Sequence, residues 1–313
     1  MRGCAILAVV WSMGLAPVAA SDAVLSLWRD WVRAVGASES AIAVMQLDDM
    51  AYAEAIGQDL DAPRPVHSVS KMITGACVTS LVEDALLTYQ TGAGEVIQAD
   101  RSPGGALNVA QLLTHTGGLG PDETQNAIRL VTQPRSFTDE LVAKRALARR
   151  LRPETGHAYN NENYAILGMM IASVTGQSVE DACRARVLGG LASAQNREGQ
   201  GSGLSYGGWA LSMPDLARFG AAFDLPVDAP RANVSPGIDY GPGVLIRDTD
   251  AGPNLWHYGG LCAFGRGSGA ALFILPHGLT MAVSYNVCAS AQDLRQLEQT
   301  VLAPAARAML RSQ

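Results

Sequence analysis

The amino-acid sequence predicts an α+β fold: one antiparallel β-sheet flanked by N- and C-terminal helices, with an all-helical domain inserted between its two halves. Three observations lead there. Strand-like segments fall only near the two ends of the chain. Helical apolar spacing fills the middle. Each end also carries one outer helix pattern. Strands and helices segregated in sequence indicate α+β architecture rather than alternating βα units.

Taken in order, Leu25, Trp28, Val32 and Val35 mark the apolar face of a helix ending at Gly36. Residues 41–47 and 50–56 read as two strands about the turn Asp48-Asp49. After a Pro-containing loop at 61–66, residues 69–87 form a helix whose first half is apolar on most faces, which requires burial. Helical patterns follow at 108–114, 138–150, 162–174 and 178–188. Residues 199–203 form a Gly-rich loop, and a short helix spans 214–223 with Pro214 in its first turn. Strands are expected at 254–258, 270–275 and 279–287, then a last helix over 291–310 kinked at Pro304. The expected division is 21–66 with 206–313 as the sheet domain, 67–205 as the helical domain, and the active site at their interface.

Composition narrows the class. The chain has 313 residues, enough to bury a large core, and its 48% hydrophobic content excludes a disordered or fibrous chain. A net charge of −6 argues against a broad basic footprint for nucleic acid. Arg2, the apolar run Ala5–Val18 and the small residues of Val18-Ala19-Ala20 read as a secretory signal peptide over 1–20, cut near Ala20. A secreted or periplasmic location follows, with no stable membrane insertion after cleavage. Four cysteines then remain, Cys77, Cys183, Cys262 and Cys288, without the close spacing of a metal site. Cys262 and Cys288 flank two expected strands of one meander, so a bridge between them is one reading and four buried thiols the other.

Three short motifs could carry chemistry. In Ser68-Val69-Ser70-Lys71 the serine and lysine share one face of a helix start. A hydroxyl needs a base to become a nucleophile, and a desolvated lysine can be that base. Alone the motif is weak: chance produces it in about one such chain in seven. Only two of the 23 basic residues are lysines, however, and Lys71 opens the most apolar helix. The second motif is Tyr159-Asn160-Asn161, where a phenol could relay protons and Asn161 could hold a substrate carbonyl and hydrogen-bond Lys71. Read alone it is a turn with an asparagine cap. The third is His257-Tyr258-Gly259-Gly260 on a strand, where glycines allow close backbone approach and a free N–H could form half an oxyanion hole.

In this order and spacing the motifs resemble the serine β-lactamase and penicillin-binding protein superfamily, in the branch with class C β-lactamases, D-amino-acid peptidases and related esterases. Further segments match the same branch: Leu112-Leu113-Thr114-His115-Thr116-Gly117-Gly118-Leu119, Asn163-Tyr164-Ala165-Ile166-Leu167-Gly168 and Gly208-Trp209-Ala210-Leu211-Ser212. The resemblance covers roughly residues 40–290. It implies that Ser68 is acylated, that Lys71 and Tyr159 share the proton transfers, that Asn161 orients substrate and Lys71, and that the Ser68 and Gly260 amides hold the oxyanion. The chain departs from the pattern at His257, which stands in place of a constitutively charged lysine, and at Tyr258, which stands in place of a small hydroxyl residue and would narrow the site. Both departures argue against a firm grip on a β-lactam carboxylate.

His115 belongs to a helix-ending turn, a structural place; His67 and His157 adjoin the motifs and are candidates to line the cleft. No Gly-x-Ser-x-Gly elbow or His-Glu-x-x-His occurs. The expectation is therefore a monomeric, exported serine hydrolase acting on a small-molecule or peptide ester or amide, with no cofactor, metal or nucleic acid. A class C-like β-lactamase is the first alternative and a non-catalytic peptidoglycan-binding relative the second.

Overall fold

The computed structural model describes residues 16–97, 102–153 and 156–310. The apolar run of the expected leader lies mostly outside these residues; the expected cut near Ala20 falls within the first helix, α1 (Ala16–Val35). Strands β1 (Ser40–Gln46) and β2 (Asp49–Ile56) follow as a hairpin. After the two-residue strand β3 (Arg64–Pro65) and a 3-10 turn at His67–Val69 comes α2 (Ser70–Glu83). The helical region continues with α3 (Ala93–Ile97), α4 (Val109–Leu113), α5 (Ala127–Thr132), α6 (Asp139–Ala148), α7 (Asn161–Thr175) and α8 (Val179–Val187). Strand β4 (Gln195–Asn196), helix α9 (Leu204–Gly207), strand β5 (Trp209–Leu211) and helix α10 (Met213–Ala221) lead back to the sheet. The remainder is β6 (Ala232–Ser235), β7 (Ile238–Tyr240), β8 (Leu245–Thr249), β9 (Gly252–Ala263), β10 (Arg266–Leu275), β11 (Leu279–Tyr285), α11 (Ala291–Leu297) and α12 (Ala303–Leu310).

The main sheet is antiparallel with strand order β2-β1-β11-β10-β9-β8-β7-β6. Strand β1 from the chain start pairs with β11 near its end, Ser40 opposite Tyr285 and Gln46 opposite Leu279. Side-chain alternation along β1 serves two cores. Ala41, Ala43 and Met45 join the core shared with α2, α7 and α10; Ile42 and Val44 join the core under α1, α11 and α12. Because both faces are covered, the strand reads as a continuous apolar run rather than an alternating one. Helix α2 is buried almost all round, as its composition demands.

The antiparallel sheet and the longer helices are as the sequence predicts; the short helices α3, α5 and α9 and the short strands β3 to β5, which make a small second sheet, were not expected. Three strands, β6 to β8, precede the three expected. They are short, only partly buried and outermost in the sheet, so they lack an apolar signature. The expected break at Pro304 takes a specific form: a π-turn at Glu298–Leu302 widens the helix just before the proline. A proline ring crowds the carbonyl four residues earlier, and the wider turn relieves that. Disulfides join Cys77 to Cys183 and Cys262 to Cys288. The first ties α2 to α8 and was not expected as a pair. Among the described residues no helix is long and apolar enough to cross a membrane.

Candidate active site

Ser68 lies in the 3-10 turn that opens into α2, directly after His67, whose backbone is left-handed (φ 47°). One helical turn on, Lys71 Nζ sits 3.2 Å from Ser68 Oγ and donates to the carbonyl of Tyr206 at 2.8 Å. Lys71 is fully buried. Burial pulls its ammonium from 10.5 down to about 7, and the charge of Asp122 only partly opposes this. At neutral pH the amine is therefore shared between its two protonation states, and its neutral form can accept a proton from Ser68.

Tyr159 completes the triangle. Its hydroxyl is close enough to Ser68 to feel its side chain, and Lys71 Nζ lies 4.9 Å over its ring centroid. Burial of the hydroxyl end holds its ionisation well above the ordinary phenol value. The residue as a whole is 39% exposed and forms part of the cleft wall. The cleft is a cavity of about 200 Å³ lined by His67, Ser68, Thr124, Tyr159, Asn161 and Gly260, among others.

Asn161 reaches this cleft but not Lys71. Its Nδ2 donates to Thr124 Oγ1 at 2.7 Å, its amide nitrogen donates to Asp122 Oδ2 at 2.8 Å, and its Oδ1 is buried without a partner. The Lys71 bond expected of Asn161 is made instead by the Tyr206 carbonyl.

Strand β9 supplies the opposite wall. The register of β8 with β9 runs only from Gly252 to Trp256, so β9 leaves β8 behind before it reaches the site. Gly259 faces the serine turn; a β-carbon there would stand 2.2 Å from the Val66 carbonyl oxygen and 2.7 Å from the Ser68 amide nitrogen. Only glycine permits that approach. Gly260 lines the cleft.

The other two residues of this motif are placed differently from expectation. Tyr258 is on the opposite face of β9, edge-on to Phe273 at 5.6 Å in the outer core, so it does not narrow the cleft. His257 points to the correct side but is buried behind Tyr159, their ring centroids 6.2 Å apart. Its Nδ1 donates to the Tyr258 carbonyl (2.8 Å), and its Nε2 accepts from the Tyr240 hydroxyl (3.2 Å). Burial, together with the Lys71 charge, takes its pKa to about 3, so the ring is neutral and Nε2 is the acceptor. His257 thus carries no charge to replace the missing lysine. Neither Arg247 nor Arg266 lines the cleft; Arg247 stacks on Trp256 at 5.3 Å.

His67 does line the cleft and shares a hydrogen bond with Ser268 Oγ at 2.9 Å. His157 lies behind it, donating from Nδ1 to the Thr114 carbonyl at 2.9 Å. Thr124, Tyr206 and Tyr240 are parts of the site that sequence reasoning missed. Tyr206 stands two residues before the Gly208–Ser212 segment, the one signal that could have found it. Among the described residues no cluster of His, Cys, Asp or Glu is arranged to hold a metal.

The geometry, a buried lysine beside a serine at a helix start with a tyrosine on both, can now be set against known proteins. A family model described as Beta-lactamase matches residues 28–312. The chain belongs to the beta-lactamase family. A relative in this family, penicillin-binding protein 4 of Amycolatopsis lactamdurans, is 31% identical over 125 residues; the match spans 39% of this chain and 32% of that protein. The structure of a D-amino acid amidase from Ochrobactrum anthropi SV3 complexed with L-phenylalanine amide is similar with a TM-score of 0.75 at 16% identity, covering 94% of this chain and 99% of that one. A Beta-Lactamase/D-Alanine Carboxypeptidase from Pseudomonas syringae gives 0.72 at 16% identity, covering 91% and 99%. A D-stereospecific amidohydrolase from Streptomyces sp. gives 0.70 at 18% identity, covering 90% and 98%. At these identities the likeness is one of fold, and it includes the antiparallel sheet with helices that defines this beta-lactamase family member.

Proposed function

We propose that this chain is an exported serine hydrolase that cleaves an ester or amide through an acyl-enzyme on Ser68, in the manner of an esterase or a D-amino-acid amidase. The observation that carries the reading is Lys71: fully buried, 3.2 Å from Ser68 Oγ and drawn down to about 7. In the first step Ser68 Oγ attacks the carbonyl carbon as its proton passes to neutral Lys71. The Ser68 and Gly260 amides carry the negative charge that develops on the carbonyl oxygen. Tyr159, protonated and on the cleft wall, gives a proton to the leaving oxygen or nitrogen and recovers one from Lys71. Water then releases the acid by the same groups in reverse. Asn161 holds the acyl part of the substrate.

The electrostatics favour a substrate without a carboxylate beside the scissile bond. Among the described residues lining the cleft there is no arginine or lysine, and His257 is neutral. A β-lactam would bring a carboxylate with no cation to meet it, which ranks the β-lactamase reading second. The names of the amidase structures of like fold agree with this ranking, and paired cysteines agree with export to an oxidising compartment.

Intact-protein mass spectrometry with a fluorophosphonate tests the nucleophile. The expected result is one adduct on Ser68, absent in Ser68→Ala. No adduct on folded protein sinks the enzyme reading in favour of a binding relative. A panel of p-nitrophenyl esters, D-amino-acid amides and cephalosporins then ranks the substrates; turnover of cephalosporins alone overturns the carboxylate argument.

A further inference from the structure

The segment Leu112–Leu119 is left unexplained by the chemistry above, and His115 is its most unusual residue. It follows α4 with a left-handed backbone (φ 57°) and is 1% exposed. Its Nε2 is buried with no hydrogen-bond partner among the described residues. Both features are unfavourable, so a residue kept for stability alone would be a poor choice here.

What His115 does hold is the segment that carries Tyr159. Its carbonyl accepts from the amide of Ala158 at 2.9 Å, and its Nδ1 accepts from the amide of Asn160 at 3.3 Å. Both chain neighbours of Tyr159 therefore hang on one residue. The imidazole also stacks on the Tyr159 ring, centroids 4.6 Å apart and tilted by 43°. Asn163 Nδ2, from the first turn of α7, donates to the same Nδ1 at 3.0 Å and fixes the ring's orientation.

A backbone amide can only donate, so Nδ1 is the acceptor and the ring proton resides on Nε2. The groups that face the ring are Lys71, His157, His257, Tyr159, Tyr164 and Tyr240. With two donors on Nδ1 and a cation nearby, the ring stays neutral. It is an acceptor post, not a general base.

We propose that His115 is a positioning residue: it sets the Tyr159 hydroxyl against Ser68 by clamping both flanking peptides and the ring. The inference rests on the reading of Ser68, Lys71 and Tyr159 as the reacting groups. It separates His115 from a merely structural turn residue, because its loss acts on the rate of Ser68 acylation through Tyr159.

The test measures Ser68 acylation by a p-nitrophenyl ester in four variants, with thermal unfolding as a control. Tyr159→Phe gives the rate without the hydroxyl. His115→Phe keeps a ring but removes the acceptor. It should slow acylation by about 10–100-fold, in kcat rather than KM, since misplacement by an ångström costs rates of that order. His115→Asn tolerates the left-handed backbone and offers an oxygen near the Nδ1 position, and should recover most of the loss. The double variant His115→Phe/Tyr159→Phe should be no slower than Tyr159→Phe alone, because both changes act through one hydroxyl. Wild-type acylation in folded His115→Phe overturns the proposal, as does a double variant whose losses multiply. Should His115→Phe fail to fold, His115→Gln replaces it, with an amide too long for the Nδ1 position and the same expected loss; a wild-type rate in that variant is equally fatal. If Tyr159→Phe itself acylates at the wild-type rate, it is the Ser-Lys-Tyr reading that fails, and that outcome is separate from the others.

Discussion

Gly259 and Ser68 are in backbone contact across the cleft: a β-carbon on the glycine would stand 2.7 Å from the serine amide nitrogen. The same atom would meet the Val66 carbonyl oxygen at 2.2 Å. Both obstacles are main chain, so neither can swing aside. Gly259→Ala should push β9 away from the serine turn and separate the two amides proposed to hold the oxyanion. Loss of one such donor costs about 10²–10³ in kcat. The expected outcome is an acylation rate lower by at least about 100-fold, read by fluorophosphonate labelling on protein that retains its circular dichroism.

The burial of Lys71 predicts pH effects on rate and on stability. With its ammonium drawn down to about 7, the ratio kcat/KM for a neutral ester should rise as pH increases through that value. For stability, the unfolded amine holds its proton up to 10.5 while the native one releases it near 7. Between these values the unfolded chain binds more protons, so stability rises with pH, and the burial penalty is at full size below about 7. Lys71→Met should therefore raise Tm at pH 6, raise it less at pH 10, and abolish acylation at both. An equal Tm change at both pH values refutes the shift.

Asp139 runs in the opposite sense. Burial at the start of α6, with Glu198 nearby, pushes its carboxyl up to about 8, while Ser205 donates to it from both N and Oγ. Between 3.8 and about 8 the native state binds the extra proton, so this contribution to stability is lost as pH rises through the window. Asp139→Asn should flatten Tm against pH between 5 and 8, while Asp139→Ala, which removes every acceptor for Ser205, should lower Tm throughout.

Space around that carboxylate depends on Gly168. A β-carbon there would lie 2.2 Å from Ser205 Oγ and 3.0 Å from Asp139 Oδ2. Gly168→Ala should destabilise by about 1–3 kcal/mol as an overpacked site. Ser205→Ala removes the obstructing oxygen, so the double variant should be more stable than Gly168→Ala alone. A double variant that is less stable shows that the clash lies elsewhere.

The two disulfides should differ in weight. Cys77 and Cys183 are 106 residues apart, Cys262 and Cys288 only 26. In the chain-entropy account these loops are worth about 5 and about 3–4 kcal/mol. Replacing the first pair by serines should lower Tm more than replacing the second, as differential scanning calorimetry would show.

Much of the site was legible because its chemistry sits in short motifs. Ser68 and Lys71 are one helical turn apart, and the burial of Lys71 follows from the apolar residues around it. The fold class was legible too, since strands and helices segregate along the chain. Strand parity was not. Whether His257 or Tyr258 faces the serine depends on which layer covers each side of β9, and with both sides covered no polar-apolar alternation reports it. The Cys77–Cys183 pair was hidden because its helices meet only in the folded molecule. The Asn161–Lys71 bond failed for a local reason: Thr124 and Asp122 engage the asparagine first, and the Tyr206 carbonyl, a backbone atom invisible in sequence, takes its place.

The pairing of β1 with β11 has a kinetic consequence. During synthesis the hairpin of β1 and β2 exists long before its neighbour, since the first β11 residue is Leu279. Until then β1 presents an apolar strand edge with unmet hydrogen bonds, the kind of surface that recruits other chains. Contacts so distant along the chain also close slowly. The interval between making residue 46 and residue 279 is thus the period in which a nascent chain is open to misassociation, and the central sheet cannot close until most of the polypeptide has been made.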